Sequence, residues 1–306
     1  LSNLSIRIVG CSSLEKGMAN GSMLVDKYYV SPDLKEKEQY VRFLQKLCVK
    51  EKIDFLISSD EEELKLIKKN EYLLNCRTII PDLQIISLFT DKLLATNELG
   101  EIGVTVPTIY TDLCSIDLNQ NSKIIFRQKR SFGSQGIWIA DLKDKYIPNH
   151  FSNQNFIQEF IDGEEYTVDI FCDRHGILKV CIPRKRLDIR NGITYKCKIE
   201  KHMAIIETCK VIYSHFKIPG FSNVQFRVKD SVPYFIELNP RFAGTGIASS
   251  LASFNVMLLY INHFYKNQQL ESYDFYMNAV AWDSIITRFY EETIYPKKKE
   301  TFYKQP

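Results

Sequence analysis

The sequence predicts a mixed chain, with a parallel α/β unit over about the first ninety residues and a larger α+β part after it. Three observations predict this. Short apolar runs alternate with helical spacings as far as residue 90. From Lys123 the strands lengthen and are joined by hairpin-like turns. Helical patterns return only near the end, at 201–216 and from about 243 to 266.

In order, residues 5–11 (SIRIVGC) read as a strand, and Val41, Leu44 and Cys48 give residues 40–48 a helical spacing. Residues 53–58 (IDFLIS) form a short buried strand. Asp60 with Glu63 three residues later starts the next helix as a capping box, and 77–80 is another strand. Residues 91–101 form a helix ended near Gly100 or Gly103. Strands follow at 123–128, 136–141, 155–160, 165–172 and 177–185, with a turn at 173–176. After the helix 201–216 come strands at 221–228 and 234–238, then one long helix over about 243–266.

The 306 residues are 45% apolar and 25% charged, an ordinary globular balance. A net charge of +3 is too small for an electrostatic nucleic-acid footprint, and the basic run 297–299 reads as a solvated tail. The cysteines at 11, 48, 76, 114, 172, 181, 197 and 209 form no CxxC pair and match no zinc spacing, which points to a reducing cytoplasm. No apolar stretch reaches the roughly 18 residues of a membrane span, and no signal peptide is visible. The five histidines show no triad or HxxxH spacing. The chain opens at Leu1 directly before a strand, so its native start is expected to lie upstream.

The strongest local signal is residues 222–241, SNVQFRVKDSVPYFIELNPR. Alternation puts Glu237 and Asn239 on one face beside Phe235, opposite to Ile236 and Leu238. On the preceding strand Asn223, Gln225 and Arg227 share a face. With the turn centred on Ser231, Gln225 and Glu237 lie directly opposite. One carboxylate with amide oxygens suits Mg²⁺, which keeps waters and phosphate oxygens as further ligands. Arg241 could clamp a phosphate through its planar fork. A half-exposed hairpin with solvated polar residues fits the same letters.

Two weaker segments precede it. Residues 131–136 (SFGSQG) form a glycine-rich tip whose backbone N–H groups could meet phosphates, although most such tips are only turns. In 155–171 (NFIQEFIDGEEYTVDIF) the first strand could read an adenine edge, and Glu165 could accept from ribose hydroxyls. Taken alone, this segment reads more readily as two strands and a turn without a ligand.

Taken together, a TDK start, the GSQG tip, QEFIDGEEYTVD, and SNVQF with IELNPR resemble the ATP-grasp superfamily, in particular its carbamoyl-phosphate-synthase-like small ligases. The resemblance covers about 9–265. It implies an N-terminal Rossmann-like domain over 1–90 and an ATP-grasp domain over 91–306, with a lid at about 106–160 and a C-terminal subdomain at about 161–306. It implies that Lys92 reaches the ATP phosphates and that Arg127 stands where a second phosphate lysine is usual. Ser131, Gly133, Ser134 and Gly136 would belong to the flap. Gln158, Glu159, Phe160 and Ile161 would line the adenine pocket, with Glu165 on the ribose. Gln225, Glu237 and Asn239 would bind Mg²⁺ or Mn²⁺, and Arg241 would meet phosphate or the acyl phosphate. Within PRKRLDIRNG, Arg186 and Arg190 would hold a substrate carboxylate.

The sequence departs from the family pattern in three ways. Arg127 replaces lysine and Gln128 a proline; the loop differs at Asn191 and Ile193; and 5–11 matches the family's second strand, so a first strand–helix unit is expected to be missing. The resemblance implies an ATP-dependent carboxylate–amine ligase working through an acyl phosphate. Its partners would be a small-molecule carboxylate and an amine, with no nucleic acid or membrane and a homodimer left open. A non-catalytic ATP-binding or regulatory module, a carboxylase and a kinase are the alternatives.

Overall fold

The computed structural model describes residues 6–111, 116, 123–131, 136–142 and 154–289. The chain divides into two compact units: residues 1–56, 69–78 and 289–306 in the first, and 57–68 with 79–288 in the second.

In the first unit β1 (Val9–Ser12) pairs in parallel with β2 (Lys27–Val30). The helix α1 (Lys37–Glu51) buries Tyr40, Val41, Leu44, Leu47 and Cys48, the stripe that the spacing implied. Its last residue, Glu51, is bonded by Lys27 at 2.7 Å, by Arg7 and by the Tyr29 hydroxyl. The strands β3 (Phe55–Leu56) and β4 (Arg77–Thr78) pair in parallel but are two residues each, shorter than the sequence suggested. Between them runs α2 (Glu61–Asn70), whose residues to Lys68 cluster with the second unit. Asp60 Oδ1 accepts the Glu63 N–H at 2.9 Å, as a cap should. The return half of the capping box is absent, because the Glu63 carboxylate accepts from the Ser58 hydroxyl instead.

The second unit starts with α3 (Leu83–Thr90), which the sequence reading missed, and α4 (Lys92–Glu101), capped by Asp91 accepting from Leu94 at 3.2 Å. Four strands follow: β5 (Ile109–Tyr110), β6 (Lys123–Gln128), β7 (Ile137–Asp141) and β8 (Asn155–Glu159). They form an antiparallel sheet in the order β5-β8-β6-β7. Next come β9 (Glu164–Cys172), β10 (Leu178–Arg190), β11 (Ile193–Ile199), α5 (Met203–His215), β12 (Gly220–Lys229) and β13 (Val232–Asn239). The chain continues through α6 (Ile247–Leu251), α7 (Val256–Phe264), α8 (Tyr273–Asn278) and β14 (Ile285–Thr287). A six-stranded antiparallel sheet results, in the order β13-β12-β9-β10-β11-β14.

The single long helix expected over 243–266 is two helices. The Asn255 side chain accepts the Leu258 N–H at 3.0 Å and starts α7 afresh, as asparagine favours at a helix N-cap. The strands β11 and β14 were also not anticipated.

One face of the large sheet carries Tyr166, Val168, Ile170, Val224, Phe226, Phe235 and Leu238. It is packed against Phe89 of α3, Leu99 of α4 and Ile205, Cys209 and Ile212 of α5. Alternation sends the intervening residues of β9, β10 and β12 to the other face, which is left open for a site. The end of that face is closed by aromatic packing of Phe171 and Phe221 on Tyr260 of α7. No described helix is long and apolar enough to cross a membrane.

Candidate functional site

The hairpin β12–β13 sets the site. Asp230 and Ser231 both have positive φ, 50° and 65°, so the loop is a two-residue turn of the primed type, matched to strand twist. Beyond it Phe226 pairs with Phe235 and Arg227 with Tyr234. A register shift then follows, and Gln225 pairs with Glu237 and Asn223 with Asn239. The expected pairing of Gln225 with Glu237 therefore holds, but not through a turn centred on Ser231. The turn lies half a residue earlier, and a bulge on β13 adds the missing residue. The bulge also corrects the faces. Phe235 is in the core, while Ile236 and Glu237 both line the open cleft.

In the cleft Gln225 Nε2 donates to Glu237 Oε1 at 2.7 Å, and Asn239 Nδ2 to the same oxygen at 3.2 Å. Asn239 Nδ2 also donates to Asn223 Oδ1 at 3.2 Å, and Asn223 donates to the Arg241 carbonyl at 3.1 Å. Glu237 Oε2 faces two cations, Lys92 Nζ at 3.9 Å and Arg127 Nη2 at 3.8 Å. Arg241 donates to Asn239 Oδ1 at 3.3 Å and is paired at 3.4 Å with Glu61, the first residue of α2. Burial raises the Glu61 carboxyl above its ordinary value, with Arg241 opposing. Burial likewise lowers the Lys92 ammonium, with Glu237 opposing.

The four-stranded sheet supplies the opposite wall. Lys92 opens α4, and its Nζ donates to the Ser131 carbonyl at 2.7 Å. Arg127, only 3% exposed on β6, donates to Gln158 Oε1 at 3.1 Å and to the Ile236 carbonyl at 3.2 Å. Three buried donors that line the cleft have no partner among the described residues: Arg127 Nε, Gln158 Nε2 and Arg241 Nε. Glu159, Phe160 and Ile161 line the cleft as well, and the Glu159 carboxylate accepts from the Thr108 backbone at 3.2 Å and its hydroxyl at 3.0 Å. Gly136 begins the approach to β7 and is not a lining residue. Gly133 and Ser134 lie outside the described residues.

Further along the sheet face, Glu165 on β9 accepts from Arg186 at 3.1 Å and from Arg227. Gly163 lets the chain turn into β9, since a Cβ there would stand 2.3 Å from the Val228 carbonyl oxygen. Arg186 lines the cleft, but its other nitrogens are engaged by Thr194 Oγ1 at 2.8 Å and the Gly192 carbonyl at 2.7 Å. Arg190 is not brought to the cleft. It pairs with Asp188 at 3.0 Å and lies over the Tyr195 ring. The sequence reading assigned no role to Arg227, Glu61, Thr194 or Arg288. Alternation had put Arg227 on the site face, but Thr194 and Arg288 sit on or beside strands it did not foresee. Glu61 lies inside the helix start that Asp60 and Glu63 marked and carried no signal of its own. The cleft encloses about 710 Å³, a size suited to a cofactor-sized ligand.

Residues 152–282 match a family model described as ATP-grasp in the biosynthetic pathway with Ter operon. No curated protein matches the sequence. Among solved structures, the biotin carboxylase–β,γ-ATP complex from Campylobacter jejuni superposes with a TM-score of 0.68 at 16% identity, covering 87% of this chain and 67% of that one. The L-amino acid ligase from Bacillus licheniformis gives 0.60 at 14% identity, covering 84% and 74%. The biotin carboxylase domain dimer of the Hydrogenobacter thermophilus 2-oxoglutarate carboxylase, in complex with MgADP, ADP and bicarbonate, gives 0.67 at 12%, covering 92% and 68%. Residues 152–282 thus carry the pattern of that ATP-grasp family, and over most of its length the chain shares the fold of these solved structures.

Proposed function

We propose that the protein is an ATP-dependent carboxylate–amine ligase that works through an acyl phosphate. The observation that carries this reading is the juxtaposition in one cleft of three unpartnered buried donors with an acid–amide cluster faced by Lys92 and Arg127. Buried donors are normally satisfied, so Arg127 Nε, Gln158 Nε2 and Arg241 Nε mark where acceptor oxygens or ring nitrogens of a ligand belong. The H. thermophilus structure binds MgADP, and the B. licheniformis protein is a ligase, which agrees with nucleotide binding and C–N bond formation here.

The donor set fits a divalent ion. Glu237 supplies a carboxylate, Asn223 Oδ1 is an amide oxygen next to Asn239, and Gln225 and Asn239, whose NH2 groups point at Glu237, would present their oxygens after amide flips. Mg²⁺ or Mn²⁺ bound there would offset charge on the transferring phosphoryl group. Lys92, anchored by the Ser131 carbonyl, and Arg127, anchored by Gln158 and Ile236, hold positive charge against the phosphates. Glu165, steadied by Arg186 and Arg227, retains lone pairs for ribose hydroxyls. Arg241, oriented by Glu61 and Asn239, meets the γ-phosphate and then the acyl phosphate. The amine attacks the acyl carbon and phosphate leaves. No side-chain nucleophile is needed, because positioning and charge stabilisation carry the phosphoryl transfer.

The test is Glu237→Ala. Acid-dependent phosphate release should fall at least a hundredfold while circular dichroism and melting stay native. Unchanged ATP turnover would remove the assignment.

A further inference from the structure

Every cation lining the cleft but one faces a carboxylate. Lys92 and Arg127 face Glu237, Arg186 and Arg227 share Glu165, and Arg241 is paired with Glu61. The exception is Arg288. It lines the same cleft, yet its guanidinium has no hydrogen bond or ion pair among the described residues. The residue is held in place through its backbone, whose N–H donates to the Tyr195 carbonyl at 2.9 Å and so extends the β14–β11 pairing by one step. From β11 and the turn before it, Gly192, Ile193 and Thr194 also line the cleft, none of them charged.

The position of Arg288 separates it from the phosphate machinery. Arg288 follows β14, the outer strand of the large sheet, whereas the acid–amide cluster sits on β12 and β13 at the other edge. Between β12 and β14 lie β9, β10 and β11, so at about 4.8 Å per strand the two strand axes are about 19 Å apart. The sheet's other arginine near that edge, Arg186, has its nitrogens committed to Glu165, Thr194 and Gly192. Arg190 points elsewhere. Arg288 is therefore the arginine at this end whose fork has no partner among the described residues, and a guanidinium fork matches a planar or tetrahedral oxyanion through paired N–H bonds.

We infer that Arg288 recognises an oxyanion on the non-nucleotide substrate, additional to the carboxylate that is activated, so that the protein selects a substrate carrying a second carboxylate or a phosphate ester. The inference rests on the proposed ligase reading for the word substrate, but anion recognition by Arg288 can be measured without turnover.

The experiment uses the full chain with Mg²⁺ and a β,γ-imido analogue of ATP. Calorimetry compares matched probes: glutamate with glutamine, aspartate with asparagine, and O-phosphoserine with serine. In the wild type the anionic member of at least one pair should bind at least tenfold more tightly than its neutral partner. Arg288→Met should collapse that gap to within twofold, and Arg288→Lys should restore part of it, because lysine keeps the charge but not the fork. A gap confined to O-phosphoserine identifies a phosphate ester; a gap in the amino-acid diacids identifies a carboxylate. No gap in any pair, or a gap that survives Arg288→Met, overturns the inference. Phosphate-release assays with ATP separate the two readings. Turnover without charge preference overturns the role of Arg288 alone. An Arg288-dependent preference without turnover of any acid supports that role and counts against the ligase reading.

Discussion

Glu51 shows how much a single side chain's environment decides. Its carboxylate, at the end of α1, accepts from Lys27, Tyr29 and Arg7, and these bonds pull its pKa from 4.5 down to about 2. A carboxyl depressed in the folded state contributes stability that is fully present above its ordinary value and is lost as pH falls through its folded value. Stability of the chain should therefore fall with a Glu51-dependent slope between about pH 4.5 and pH 2. Chemical denaturation of the wild type and Glu51→Gln across that window checks it, and parallel pH dependences would rule it out. Nothing in the letters around Glu51 announced this cluster, because Arg7, Lys27 and Tyr29 come to it from distant positions. Lys92, singled out by the resemblance, and Glu237, singled out by its strand face, do line one cleft. Arg127 was legible as a cation, but not as a buried one tied to Gln158 and the Ile236 carbonyl.

Among elements, the bulge on β13 matters most. The turn residues Asp230 and Ser231 fix one register, and the bulge replaces it with another before Glu237 is reached. With Ile236 as the extra residue, Phe235 stays in the core while Glu237 and Asn239 keep the cleft face. Deleting Ile236 should remove the bulge and leave Phe235 opposite Phe226 and Glu237 opposite Gln225 in regular alternation, but it also removes the Ile236 carbonyl that accepts from Arg127. Nucleotide binding should weaken more in the deletion than in Ile236→Ala, which keeps that carbonyl and should change the Kd for ATP by less than tenfold. Fluorescent-nucleotide titration compares the two, and equal losses in both would show that the Ile236 side chain, not the bulge and its carbonyl, matters. Strand alternation on β12 was readable in advance. The bulge was not, because an extra residue in one strand leaves no signature in a single sequence when the flanking residues are ordinary strand formers. Pro233 sits within β13 without cost, since that strand is at the sheet edge.

At the scale of the whole molecule, the second unit places two antiparallel sheets so that one cleft gathers residues from α4, β6, β8, β9, β10, β12 and β13. A ligand that binds only the folded cleft stabilises it by mass action, about 2.7 kcal/mol when its concentration is a hundred times Kd. Saturating ATP with Mg²⁺ should raise the melting temperature by several degrees, measured by scanning calorimetry, and Glu237→Ala should abolish most of the rise. An equal rise in both proteins would place the nucleotide elsewhere.

By itself the sequence determined the succession of most strands and helices, the polar face of β12, and the side chains suited to phosphates and a hard cation, because alternation, capping and residue chemistry act over a few neighbours. Only the tertiary structure decided that α6 and α7 are separate, that Phe235 is core while Ile236 faces the cleft, that Arg186 is bonded to Glu165, and that Arg288 has no side-chain partner among the described residues. Those outcomes depend on which distant strands pair and in what register. That choice is made by burial and hydrogen bonding over the whole chain, and no local window of letters contains it.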